Sequence, residues 1–151
     1  ILLITHEMDV IQQICNKVAV MEKGEVIEAG DVFETFTAPK HPTTKRFVQS
    51  VQQDLPSKHI LEKWQSNGGE TLYRVLFKGD ITNEPILSTV TRKYEVDFNI
   101  VYGSVQELQE KLFGNLLISF TGDKSAIEQV LQELESIVDI KEVTKDESGL
   151  V

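Results

Sequence analysis

The stretch DFNIVYGSVQELQEKLFGNLLISFTG, residues 97–122, decides the fold. Two apolar runs flank a polar middle. In 96–105, Val96, Phe98, Ile100 and Tyr102 recur at every second residue; in 113–120, Leu116, Ile118 and Phe120 do the same. Successive side chains leave a strand on opposite faces, so this alternation predicts two half-buried strands. The polar segment 106–112 reads as a connection longer than a tight turn, yet short enough to join antiparallel neighbours.

Outward from this hairpin, the second half alternates between strand and helix patterns. Residues 72–78 predict a strand with Tyr73, Val75 and Phe77 on one face, and 79–84 a loop. Asn83 reads as the cap of a helix with Pro85 in its first turn, where a missing N–H costs nothing. Ile86, Leu87, Val90 and Tyr94 form its apolar face. After Gly122, Asp123 reads as the cap of a second helix, with Ile127, Val130, Leu131, Leu134 and Ile137 as its stripe. Residues 138–144 predict a last strand, and 145–151 a polar tail. The order β-α-β-β-α-β predicts an α+β, ferredoxin-like domain: a four-stranded antiparallel sheet with two helices on one face. That fold hosts many activities, so function must come from particular residues.

The first part is organised differently. The apolar run Ile1-Leu2-Leu3-Ile4 predicts a buried strand of a parallel α/β sheet. It starts at the first residue without a turn or cap, and the chain offers no obvious neighbours for a central strand. A piece of a longer polypeptide is the expected explanation. A helix is predicted over 8–17, with Ile11, Ile14, Cys15 and Val18 on one face. Strands follow over 18–21 and 25–29, the second with Val26 inward, around a turn containing Gly24. Asp31 reads as the cap of a helix over 32–36. Pro39 and Pro42 frame a loop, and a helix over 45–51 places Phe47, Val48 and Val51 inward. Pro56 and Asn67-Gly68-Gly69 mark a boundary segment, with a short helix around Ile60, Leu61 and Trp64. The expected organisation is therefore 1–53, a linker 54–69, a domain 70–146 and a tail 147–151.

Composition narrows the functions. Of 151 residues, 40% are hydrophobic and 26% charged, the balance of a globular chain that can bury a core. A formal net charge of −9 disfavours a nucleic-acid partner, which needs a cationic surface. Cys15 is the sole cysteine, which rules out an intrachain disulfide and a cysteine-rich metal site, and no metal is expected. No apolar run has the length of a membrane-spanning helix.

His6 lies just past the end of the first predicted strand, where open α/β sheets place ligand-contacting groups. A neutral imidazole there can donate to a phosphate oxygen or orient a water. A hydrogen-bonded structural histidine is the alternative. Leu2-Leu3-Ile4-Thr5-His6-Glu7-Met8, the helix after it, and Val18-Ala19-Val20-Met21-Glu22-Lys23-Gly24-Glu25-Val26-Ile27-Glu28-Ala29-Gly30 resemble the C-terminal end of an ABC-transporter nucleotide-binding domain. The resemblance implies that His6 is the switch histidine, which contacts the γ-phosphate. Pro39-Lys40-His41-Pro42-Thr43-Thr44-Lys45-Arg46-Phe47 resembles the end of importer-type ATPase subunits. Yet there is no G-x-x-x-x-G-K-[ST] cradle, no signature motif, and no acidic strand end before His6. The 151 residues by themselves are expected not to be an enzyme and to hold no cofactor, ATP and Mg belonging to the longer subunit.

On the βαββαβ frame, Phe98-Asn99-Ile100-Val101-Tyr102-Gly103 and Phe113-Gly114-Asn115-Leu116 resemble the NIL domain that ends the ATPase subunit of methionine ABC importers. The family's Asn-Ile-Leu stands here as Asn99-Ile100-Val101. The resemblance implies that two NIL domains pair across the transporter dimer and bind L-methionine there, holding the ATPase domains apart when internal methionine is high. It also implies an integral-membrane permease partner and a peripheral place on the cytoplasmic face of a bacterial membrane. A thioether wants an apolar slot, for which Ile100, Val101, Phe113 and Leu117 are candidates. Asn99 offers a donor and an acceptor to the amino-acid end. The alternative is a dimerisation module without a small ligand. RNA binding would need a basic face with stacked aromatics, and acyl-phosphate hydrolysis a cationic anion cradle. The second half has neither.

Overall fold

The computed structural model describes residues 1–51 and 56–143, and the backbone alone of Val51. The expectations for the Val51 side chain, residues 54 and 55 of the linker, Thr144 of the last strand and the tail 147–151 lie outside the described residues. The chain divides into two compact units: Ile1–Gln53 with Glu107–Lys111, and Asp54–Gln106 with Leu112–Val151.

The first unit contains α1 (Met8–Ile14), β1 (Lys17–Glu22), β2 (Glu25–Asp31), α2 (Val32–Thr37) and α3 (Pro42–Val51). β1 and β2 pair antiparallel through the two-residue turn Lys23-Gly24, at φ 51° and 86°. Positive φ at both positions gives the twist that matches a hairpin, and Gly24 adopts it without a Cβ clash. A register shift between Val20 and Met21 rotates the second strand's pattern, so Ile27 and Glu28 are half-buried and Val26, expected inward, is exposed. α1 stops at Ile14, three residues short of the expected end, because Cys15 turns extended (φ −100°, ψ 138°). Of its stripe Ile11 is buried, while Ile14 is exposed. α3 begins at Pro42 rather than residue 45, using proline's preset φ at the first helical position. It buries Val48 and leaves Phe47 exposed.

Residues 1–4 do not form the expected strand: they are irregular and exposed. An apolar run becomes a buried strand only where its N–H and C=O groups meet a ladder. The sheet of this unit is two-stranded, β1 with β2, and offers residues 1–4 no pairing.

The carboxylate of Glu28 ties the Pro39–Pro42 loop to β2. It accepts the Lys40 N–H at 3.0 and 3.3 Å and the His41 N–H at 2.9 Å. Partial burial alone would raise its pKa, but the two backbone donors and the Lys40 charge outweigh it and hold the group below the ordinary carboxylate value. A folded pKa below the unfolded one contributes stability that is present above the ordinary carboxylate range and is lost as pH falls through the folded value. The amide protons of Lys40 and His41 should therefore lose hydrogen-exchange protection as pH drops below that range. Glu28→Gln should remove the pH dependence, and protection unchanged down to strong acid would refute this account.

The second unit opens with α4 (Lys58–Ser66), followed by β3 (Leu72–Lys78), a 3₁₀ turn (Gly79–Asn83), α5 (Ile86–Lys93), β4 (Asp97–Leu108), β5 (Lys111–Thr121), α6 (Lys124–Glu135) and β6 (Asp139–Glu142). The strand order is β4-β5-β3-β6, with β3 antiparallel to both β5 and β6. The two split βαβ crossovers put the first and third strands of the domain at the centre, which is the ferredoxin-like arrangement. Ile86, Leu87 and Val90 of α5 share one core with Val130 and Leu134 of α6, Val75 and Phe77 of β3, and Ile118 and Phe120 of β5. Both helices thus cover one face. Leu72 and Leu117 have the opposite strand parity and pack with Leu61 of α4 on the other face. β5 is consequently buried on both sides, and its sequence is apolar almost throughout.

Three local expectations change. The 79–84 loop contains a 3₁₀ turn, and Pro85 rather than Asn83 is the N-cap of α5. Ile137, expected in the α6 stripe, lies past the helix end and is 39% exposed. The connection of the central hairpin is the tight turn Gln109-Glu110, at φ 53° and 60°, so β4 and β5 each extend well into the polar segment. Neither residue is the glycine or asparagine that announces such a turn.

Candidate ligand and pairing surface on the edge strand

β4 is an edge strand of 12 residues. One row of its N–H and C=O groups has no ladder within this sheet, and such an edge can pair with another chain. Natural edges are usually blunted with charge. This one instead exposes apolar side chains, Ile100 at 54% and Val105 at 61%.

The Asn99-Ile100-Val101 run lies on this edge. Its neighbour Phe98 packs into the core under α5 and α6, and Val101 packs towards Leu61, Leu72 and Leu117 on the opposite face. Between them Asn99 and Ile100 are exposed. Phe98 and Val101 are half-buried on opposite faces of the strand, and the Asn99 amide between them is exposed.

Phe113 is not brought beside them. It is buried in β5, opposite Lys78 of β3. It lies three residues past the last turn residue, Glu110, whereas Asn99 lies ten before the first, Gln109. The seven-residue offset along the hairpin, at ~3.3 Å per residue, separates them by about 20 Å. Leu117 is likewise buried in the α4-side core.

A cleft of 230 Å³ lies on the helix side of the same edge strand. Phe77, Phe98, Leu116 and Gly114 line its apolar interior, and Thr82, Glu84 and Ser88 contribute polar groups. The hydroxyls of Thr82 and Ser88 donate to the backbone carbonyls of Gly79 (2.6 Å) and Pro85 (3.0 Å), which leaves their lone pairs free to accept. None of Asn99, Ile100, Val101 and Phe113 lines this cleft. Sequence reading missed it because its lining comes from β3, the 3₁₀ turn, α5, β4 and β5. Each contribution taken singly reads as ordinary core.

Other polar groups hold the framework. On the α4 side, Arg74 Nε donates to Asn115 Oδ1 at 3.1 Å, which satisfies the buried amide oxygen. Lys93 Nζ and the Tyr94 hydroxyl both reach Glu133 Oε2, at 2.8 and 2.7 Å, clasping α5 to α6. Those partners raise the Lys93 pKa and lower that of Glu133. His6 is exposed, in a bend before α1, where the Thr5 hydroxyl accepts the Glu7 N–H at 3.0 Å. Among the described residues no three His, Cys, Asp or Glu side chains group as metal ligands, and no helix is long and apolar enough to cross a membrane.

Residues 71–141 match the family described as the NIL domain. Over 143 residues, 95% of its length, the chain is 68% identical to "Methionine import ATP-binding protein MetN 3" of Oceanobacillus iheyensis. Over the same share it is 50% identical to "Methionine import ATP-binding protein MetN 2" of Bacillus cereus. The chain spans 42% of the length of both relatives. A solved structure, the C-terminal domain of an ABC transporter ATP-binding protein from Enterococcus faecalis, is 21% identical with a TM-score of 0.47, covering 57% of this chain and 97% of that one.

Proposed function

Because residues 71–141 match the NIL-domain model, we propose that the chain is the regulatory C-terminal part of the ATP-binding subunit of a methionine importer. In this reading L-methionine binds at the β4 edge, where two copies of the domain pair, and its binding restrains uptake when internal methionine is high. The observation that carries the reading is an exposed Asn99 amide on an open, apolar sheet edge, in a chain 68% identical to a methionine import protein.

The chemistry is consistent with that assignment. A free amino acid presents an ammonium and a carboxylate, and one asparagine side chain offers an acceptor and donors to them. A two-fold axis beside β4 would make the contact isologous, each edge meeting its own copy. Ile100 and Val101 then supply apolar contact across the pair. ATP hydrolysis with Mg, the switch role of His6, the membrane permease partner and a place on the cytoplasmic membrane face belong to the longer subunit in this reading.

Calorimetry of the full chain with L-methionine against L-leucine tests the proposal. Methionine should give the stronger binding, and Asn99→Ala should weaken it by about 10- to 100-fold, the equivalent of losing a hydrogen bond to a charged group at ~1.5–3 kcal/mol. Absent heats, or equal heats for the two amino acids, would remove the ligand. Sedimentation showing a dimer indifferent to methionine would then leave a ligand-independent pairing module, the reading that the exposed edge alone supports.

A further inference from the structure

We infer that the tip of the β4–β5 hairpin is a coupling element, docked by Gln109 and Lys111 on the α1–β1 junction and on Phe33, through which the state of β4 reaches the segment that follows His6. The docking stands on geometry alone; its regulatory sense rests on the methionine-sensing reading above.

The hairpin belongs to both units. Most of β4 and β5 lies in the second, whereas Glu107–Lys111 is part of the first. β3 accompanies β5 only as far as Phe113, opposite Lys78, and the hairpin runs on past that point to its turn. Burial then rises where a hairpin ending in solvent would lose it. Residues 103–107 are exposed, yet Leu108 is buried at 6% and Gln109 is half-buried.

Two side chains make the dock specific. The Gln109 amide donates from Nε2 to the Cys15 carbonyl. Cys15 is the C-cap of α1, at a helix end whose carbonyls lack intrahelical partners. The next carbonyl, that of Asn16, accepts the Val32 N–H at 3.0 Å. The junction between α1 and β1 is thus held by the hairpin tip on one residue and by the start of α2 on the next. Lys111 Nζ stands 4.9 Å from the centroid of the Phe33 ring, within cation–π range. Gln109 and Glu110 hold positive φ, where asparagine or glycine would be less costly. Glutamine at the first position supplies a reach that glycine lacks. α1 starts two residues after His6 and ends at the docked junction. β4 is one continuous strand from Asp97 to Leu108, so a shift of its edge carries the tip with it.

Cys15, the only cysteine, is half-buried and reports the junction, while Trp64 reports the second unit. In the full chain, the rate at which a chromogenic aryl disulfide labels Cys15 follows local opening there. Gln109→Ala should raise that rate about 3- to 10-fold, the effect of one net hydrogen bond. Lys111→Gln should raise it about 2- to 5-fold, and Glu110→Gln, at the exposed second turn position, should leave it unchanged. Parental rates in the first two variants, or an equal rise in all three, overturn the dock. Leu134→Ala weakens the second unit's core, so it should lower the urea concentration at which Cys15 becomes reactive together with the Trp64 midpoint; adding Gln109→Ala should separate the two. A Cys15 midpoint indifferent to Leu134→Ala overturns the coupling. Should Leu134→Ala not fold, Val130→Ala, a smaller truncation in the same core, takes its place. Saturating L-methionine should change the parent's Cys15 rate about twofold or more and that of Gln109→Ala not at all. Methionine that binds by calorimetry without this change overturns the coupling. A parent chain that binds no methionine removes the sensing reading, and the urea result still decides the coupling.

Discussion

Gly103→Ala is expected to destabilise the second unit by about 2–5 kcal/mol, combining overpacking with backbone strain. Gly103 lies in β4 at φ 142°, a region that residues with a side chain rarely adopt. A Cβ built there would stand 2.3 Å from the carbonyl oxygen of Asn115 and 2.8 Å from Cα of Leu116. These are backbone atoms of a strand buried on both faces, so no flexible side-chain end can swing away. Either β4 lifts off β5 or β5 shifts within a packed sheet. Trp64 is the only tryptophan and packs on the α4 side of this sheet, so its fluorescence follows the second unit during urea unfolding. A midpoint within a tenth of the parent's would show that β4 has room the geometry denies. If the proposed methionine site at the β4 edge is right, binding should fall as well, because Asn99 lies four residues along the same strand.

Leu134→Ala is the second large effect, at about 2–5 kcal/mol. Leu134 is fully buried at 0% exposure, in the core that joins α6 to α5, β3 and β5. Truncation forfeits its transfer free energy and leaves a cavity whose walls come from several rigid elements and cannot all move in. Ile137 is the control. It is 39% exposed beyond the end of α6, so Ile137→Ala should cost well under 1 kcal/mol. Equal losses at the two positions would show that the sequence stripe describes the core better than the structure does.

These two residues illustrate what was legible in advance. Leu134 could be read as core because helix periodicity is local: residues three and four apart share a face wherever the helix packs. Ile137 satisfies the same spacing and fails because the helix ends at Glu135, where Ser136 caps it. Gly103 carried no warning. Its need for glycine comes from the close approach of a neighbouring strand, which sequence spacing does not contain. The Gln109-Glu110 turn is similar, since two residues without turn character hold positive φ between long strands whose pairing over-determines it. Residues 1–4 show the converse. Their apolar run is consistent with a buried strand, but burial needs a ladder, and β1 pairs with β2.

The candidate surface divides along the same line. Alternation in 97–122, the α6 stripe and the β-α-β-β-α-β order are properties of short windows, and they sufficed for the ferredoxin-like domain and for Asn99-Ile100-Val101 on a strand of its hairpin. Long-range pairing decided the rest: β4 at the sheet edge, Phe113 about 20 Å along the hairpin from Asn99, and a cleft assembled from five segments. Periodicity states which residues share a face. Which face becomes core, which edge stays open and where packing leaves a void depend on what the chain brings against it from elsewhere.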